Sequence, residues 1–218
     1  MRKKVLIIGA ASLLILVGAI IIFFVAVPPD EKNVPRVLEN SLNGDGRFEF
    51  SCMIETDGES REYFWLSGER NKDMRHISGR VLGSPLDLYY ANGYIYRYNT
   101  ADEIWQCYGA EDLEEAASLY AELEPNAAFS YEALLGITYS GREISNGRMC
   151  FKFTVTPEPT GWVGEFFTDV KYIVFLSRWG ELISAEVIAA LKDEENTTMR
   201  AFVIFEKDGN IVIETPSD

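Results

Sequence analysis

Hydrophobic and polar positions change rhythm several times along this chain of 218 residues. Residues 5–27 hold no charge, and Ser12 is the only polar side chain among them. A helix over that stretch is long enough to cross a hydrocarbon core of about 30 Å. Arg2, Lys3 and Lys4 precede it, and Asp30 and Glu31 follow. The positive-inside bias puts residues 1–4 in the cytoplasm and the rest, beyond Pro28, outside. A cleaved signal peptide would have a shorter apolar region, about 7–15 residues, with small residues before the cut. Phe24 and Pro28 stand where those requirements fall, and no Cys follows the stretch to carry a lipid. The pattern predicts an uncleaved transmembrane signal-anchor over 5–27 in the cell membrane, with an extracytoplasmic domain behind it.

Residues 28–36 are rich in proline and charge and read as a short linker. The domain then runs over 37–218. A short helix is expected at 37–42, closed by the turn Asn43-Gly44-Asp45-Gly46. From Phe48 the period becomes two: Phe48, Phe50, Cys52 and Ile54 alternate with Glu49, Ser51, Met53 and Glu55. Strands are expected at 61–67 and 72–82, with turns at Asp57-Gly58 and 68–71. A hairpin over 86–98 is marked by Asn92-Gly93, and a short strand follows at 103–108. The middle shifts to helical spacing. Leu113, Ala116, Ala117, Tyr120 and Leu123 predict a helix over 111–123, and a second is expected at 130–135. Strands return at 138–144 and 149–156. A loop is expected at 157–169, then strands at 170–178, 182–191, 197–206 and 211–214.

Strands joined by short turns imply an antiparallel sheet, and the central helices must cover its apolar face. The fold class is therefore α+β. It is a curled antiparallel half-barrel of about 11 strands, with helices over the concave side and one transmembrane helix in front. Alternation assigns the concave side Phe48, Phe50 and Ile54, then Tyr94, Tyr96 and Trp105, in the first half. In the second half it assigns Ile173 and Phe175, then Val187 and Ala189, then Ala201, Val203 and Phe205. A slip of one residue inverts any of these strands. These side chains are the candidate apolar trough.

Charge narrows the function. Lys+Arg is 20 and Asp+Glu is 34, a net of -14. Without residues 1–4 the remainder carries 17 basic against 34 acidic residues, a net of -17. That excludes a phosphate-tracking nucleic-acid binder. One His and three Cys offer little for a metal centre, and no cofactor motif is present. His76 and Ser84 are the only material for a hydrolase, and neither lies in a recognised motif. The chain is expected not to be an enzyme. Cys52 lies on an apolar strand face and reads as a buried thiol, which leaves Cys107 and Cys150 as the candidate disulfide.

The hairpin Tyr90-Ala-Asn-Gly-Tyr-Ile-Tyr-Arg-Tyr98, with Trp105 beyond it, precedes a helical insertion. The closing run has Trp179-Gly180-Glu181-Leu182, two more strands and Ile211-Val-Ile-Glu-Thr-Pro216. This succession resembles the lipoprotein-carrier half-barrel superfamily, which takes in LolA, the LppX/LprG-like carriers and the RseB/MucB-type sensor domains. The likeness spans residues 37–216. It implies a concave face that binds acyl chains or another amphiphile. The alternative on the same fold is a sensor or interaction domain that docks an envelope protein and holds no lipid.

Overall fold

In the computed structural model, which describes residues 27–72, 74–109 and 121–216, eleven strands form one antiparallel sheet. The first meander is β1 (Gly46–Thr56), β2 (Glu59–Asn71), β3 (Met74–Val81), β4 (Ser84–Ala91), β5 (Tyr94–Asn99) and β6 (Ile104–Gly109). The second is β7 (Tyr131–Ser145), β8 (Arg148–Pro159), β9 (Phe167–Leu176), β10 (Leu182–Leu191) and β11 (Thr197–Lys207). The two meanders join where β1 pairs with β11, from Gly46 opposite Lys207 to Thr56 opposite Thr197. The order is β6-β5-β4-β3-β2-β1-β11-β10-β9-β8-β7, so β6 and β7 are the two ends and the curled sheet stays open.

Two-residue turns connect many of the strands. Asp57-Gly58, Asn92-Gly93 and Asn146-Gly147 all have positive φ at both positions, the conformation that suits the twist of a hairpin. The turn expected at 68–71 is instead part of β2. Gly68 sits opposite Phe48, and a Cβ there would come within 2.1 Å of the Phe48 ring. Its glycine makes room for an aromatic ring across the strand rather than a chain reversal.

Helix α1 (Val34–Asn43) begins earlier than expected. Pro35 stands in its first turn, where a missing N–H costs nothing. A 3-10 turn at Glu31–Asn33 precedes it, and the Glu31 carboxylate accepts the Tyr139 N–H of β7 at 2.8 Å. Much of the expected linker is thus folded onto the sheet. Val34, Leu38 and Leu42, each four residues apart, are buried against it.

Other expectations change. Residues 131–135 belong to β7, not to a helix. Pairing of Tyr131 with Pro159 and of Ala133 with Glu158 overrides the local helix preference of Ala and Leu. The short helix there is α2 (Pro125–Ala128), which Pro125 opens. The loop expected at 157–169 is the end of β8, then α3 (Gly161–Phe166) and the start of β9. Residues 211–214 run outside the ladder, although Ile211 and Ile213 are buried and Asn71 Nδ2 donates to the Ile211 carbonyl at 3.1 Å. The anchor expected at 5–27 lies outside the described residues except for Val27, and the helix expected at 111–123 lies mostly outside them. Among the described residues no helix is long and apolar enough to cross a membrane.

Candidate functional site

Cross-strand register gives the sheet two faces. The inner one is apolar through its centre. Phe48 opposes Phe205, Phe50 opposes Val203, Ile54 opposes Met199, and Val187 opposes Ala201. Phe50, Val187, Ala201 and Val203 are fully buried, Ala189 nearly so, and Ile54 is half-buried. The face continues through Tyr172 and Val174 of β9 to Phe151, Phe153 and Val155 of β8. Those last three alternate with Lys152 and Thr154, so the signal was visible in the sequence.

Five expected trough residues lie on the other side. Ile173 opposes Glu186 and Phe175 opposes Ser184, both outward, and Phe175 packs with Cys150 and Ile183 in a separate small cluster. Every residue of 172–176 is apolar, so alternation carried no contrast there. In β5 it is Ile95 that is buried, while Tyr94 is 49% exposed. Tyr96 opposes Tyr89 and Cys107, and Trp105 opposes Tyr98. These rings form an outer ladder with His76, which stacks on Tyr89 at 4.0 Å; Tyr89 meets Trp105 edge-on at 5.2 Å. His76 Nε2 is 2.7 Å from Asp87 Oδ1. Ser84 opposes Val81, five residues along β3 from His76, or about 16 Å. The two do not make a nucleophile–base pair.

The expected disulfide is absent. Cys52, Cys107 and Cys150 are all free thiols. Cys107 lies in β6, the first strand of the order, and Cys150 in β8, the tenth. Burial raises the Cys52 thiol pKa to about 12, and it raises that of Cys150 as well.

A buried ionic cluster went unread. Inward alternation along β2 runs Phe64, Leu66, Gly68 and then Arg70, which places a guanidinium inside. Arg70 Nε donates to the Gly44 carbonyl at 2.9 Å, and its terminal nitrogens reach Leu42 O and Glu124 Oε2. Glu124 also pairs with Arg75 at 3.1 Å. Burial lowers the Arg70 pKa, with Glu124 opposing. The cation thus satisfies the carbonyl end of α1 and fastens it to the segment leading into α2.

Helix α1 lies across the apolar face and leaves open space on either side. Toward α2 is a cleft of about 340 Å³, walled by Leu38, Leu42, Phe129 and Tyr131. On the other side is a larger cleft of about 740 Å³. Pairing of β10 with β11 begins at Ser184 and Ile204, and this cleft lies where those strands part beyond that point. Phe48, Leu182, Ile183, Phe205 and Val37 give it apolar walls. Arg36, Arg47, Arg148 and Lys207 stand around it with Glu49, Glu181 and Glu206. The volume falls in the range of small-ligand sites. Apolar walls beside guanidinium groups suit a molecule with an aliphatic part and an anionic head.

No family model matches the sequence, and no curated protein matches it. Solved structures do. The lipoprotein LppX of Mycobacterium tuberculosis is similar over 84% of this chain and 96% of its own, at 10% identity and a TM-score of 0.46. LprF from Mycobacterium bovis is similar over 84% and 95%, at 11% identity and 0.49. A LolA superfamily protein from Nitrosomonas europaea is similar over 80% and 91%, at 8% identity and 0.30. The architecture itself is read from the strand order and register of this chain.

Proposed function

We propose that this chain is a membrane-anchored, extracytoplasmic binding protein for a lipid or other amphiphile, held at the outer surface of the cell membrane by residues 5–27. The reading takes it as a binding protein rather than an enzyme. The cleft of about 740 Å³ beside α1 carries the argument, because it sets apolar walls beside a mixed charged margin in which Arg36 and Arg148 suit the anionic end of an amphiphile. Each buried methylene of an acyl chain contributes about 0.8 kcal/mol, so few polar contacts are needed. Native mass spectrometry of the gently purified full chain should detect co-purified lipid. Ser41 is half-buried on the cleft wall, so Ser41→Trp fills the cleft with little disturbance of the core. The variant should fold and lose the lipid. Unchanged lipid content in folded Ser41→Trp would remove the cleft from the site.

A second reading has its own support. Val34, Leu38 and Leu42 of α1 occupy the centre of the inner face, and most of the strand residues there are buried. A half-barrel filled by its own helix suits an interaction or sensor domain that docks an envelope protein. Wild-type protein free of lipid at every stage of purification would favour this reading over the first.

A further inference from the structure

The two ends of the open sheet are unequal. At β7 the ladder with β8 shifts register after Tyr131, Leu134 and Tyr139. The Tyr139 N–H already donates to the Glu31 carboxylate, and Glu132, Arg142 and Glu143 put charge along the strand. Bulges, charge and an occupied N–H keep a further strand off this edge. β6 has none of these. Its ladder with β5 runs from Tyr94 opposite Gly109 to Asn99 opposite Ile104 without a shift. Its sequence, Ile-Trp-Gln-Cys-Tyr-Gly, holds neither a charge nor a proline. Ile104 is 52% exposed, and Cys107 is exposed as well.

The neighbouring hairpin sets which backbone groups of β6 point outward. Positive φ at Asn92 and Gly93 closes the β4–β5 hairpin on Ala91 and Tyr94 as a hydrogen-bonded pair. By alternation, the backbone of Tyr94, Tyr96 and Tyr98 bonds toward β4, and that of Ile95, Arg97 and Asn99 toward β6. Their partners in β6 are Tyr108, Gln106 and Ile104. The N–H and C=O groups of Trp105, Cys107 and Gly109 therefore point away from the sheet, which ends here.

A second β6 is complementary to this edge. A two-fold axis normal to the sheet at Cys107 sets Cys107 against Cys107, Trp105 against Gly109 and Gln106 against Tyr108. That register pairs every outward backbone group of Trp105, Cys107 and Gly109 with another. Gly109 adds no side chain beside the Trp105 ring. Gln106 meets a phenol, as it does within one chain, where Tyr108 Oη donates to Gln106 Oε1 at 2.7 Å. The axis keeps outer face beside outer face, so the two Cys107 side chains lie together, with their Cα atoms about 5.5 Å apart. With β7 closed to strands, association stops at two copies.

We infer that β6 is a self-association edge, through which two copies of this chain join their sheets antiparallel about a two-fold axis at Cys107. The inference is independent of what the cleft beside α1 holds.

The test uses the full chain in detergent micelles. Sedimentation equilibrium should give a dimer, and a short bismaleimide should join its two copies through Cys107. Cys107 is exposed on the outer face, so charged replacements there leave the core intact. Cys107→Lys and Cys107→Glu should each weaken the dimer about fivefold, because the new charge opposes itself across the axis. An equimolar mixture of the two variants should recover the wild-type dimer as a heterodimer. A wild type that stays monomeric overturns the inference. So does a dimer that bismaleimide does not join at Cys107, since another part of the chain would then hold it. Lys and Glu variants that dimerise as well as wild type, or a mixture that recovers nothing, also overturn it.

Discussion

The two wings of the sheet use their faces differently. In β8–β11 and β1 the inner face is a continuous apolar layer, with Phe153, Val174, Val187, Val203 and Phe50 fully buried. In β3–β6 the inner face is mixed. Ile77, Leu88 and Ile95 are buried, but Arg75 and Tyr90 stand among them and pair across the strands, and Arg97 ends the row exposed. The aromatic weight of that wing lies outside, in the ladder of His76, Tyr89, Trp105 and Tyr98. One wing is stabilised by removing apolar area from water. The other depends more on pairs between neighbouring strands.

The sharpest way to break that contrast is to truncate one ring in each wing. Phe50→Ala should cost about 3–5 kcal/mol in chemical denaturation, because the site is closed on every side. Tyr96→Ala, on the outer face, should cost less than about 1 kcal/mol. Equal losses would erase the distinction.

Glu124→Ala comes next. It leaves Arg70 buried without its carboxylate, and loss of about 3 kcal/mol is expected. The exposed Arg47–Glu69 pair is the control: Arg47→Ala should shift the melting temperature far less. A small Glu124 effect would mean that the carbonyls at the end of α1 satisfy Arg70 alone.

Glu186 gives a pH-dependent test in the apolar wing. Burial raises its pKa above the ordinary carboxylate value, against the opposing charges of Arg200 and Lys152 and with help from Glu143. A carboxyl with a raised folded pKa favours the folded state when protonated. It therefore costs stability above that pKa, and the cost is relieved as pH falls through it. Glu186→Gln should melt higher than wild type at neutral pH, with the gap closing on acidification. A gap that widens in acid would refute the sign.

Thiol labelling has the least effect on stability and still separates the wings. Cys107, exposed on β6, should react at once in native protein, while Cys52 and Cys150 should stay protected until denaturant is added. Fast reaction of Cys52 would show that the centre of the sheet opens readily.

Where one face of a strand was plainly polar, its orientation was legible. Glu49 and Ser51 beside Phe48 and Phe50 fixed the inner face of β1, and Asn92-Gly93 marked the β4–β5 hairpin. Where both faces were apolar or aromatic, the period carried no contrast. Residues 172–176 and the tyrosines of β5 were read one residue out of step for that reason, and only pairing with β10 and β4 set them. Gly68 read as a turn because its partner ring, Phe48, lies twenty residues away in sequence.

The number and succession of strands were thus a local property of the chain, since turn chemistry and alternation act over a few residues. The net charge also needed no coordinates. The closure of the two meanders through β1 and β11, the filling of the inner face by α1, the burial of Arg70 with Glu124 and the separation of Cys107 from Cys150 are non-local. Each depends on residues that come together only when the sheet has curled, and no window along the sequence holds both partners.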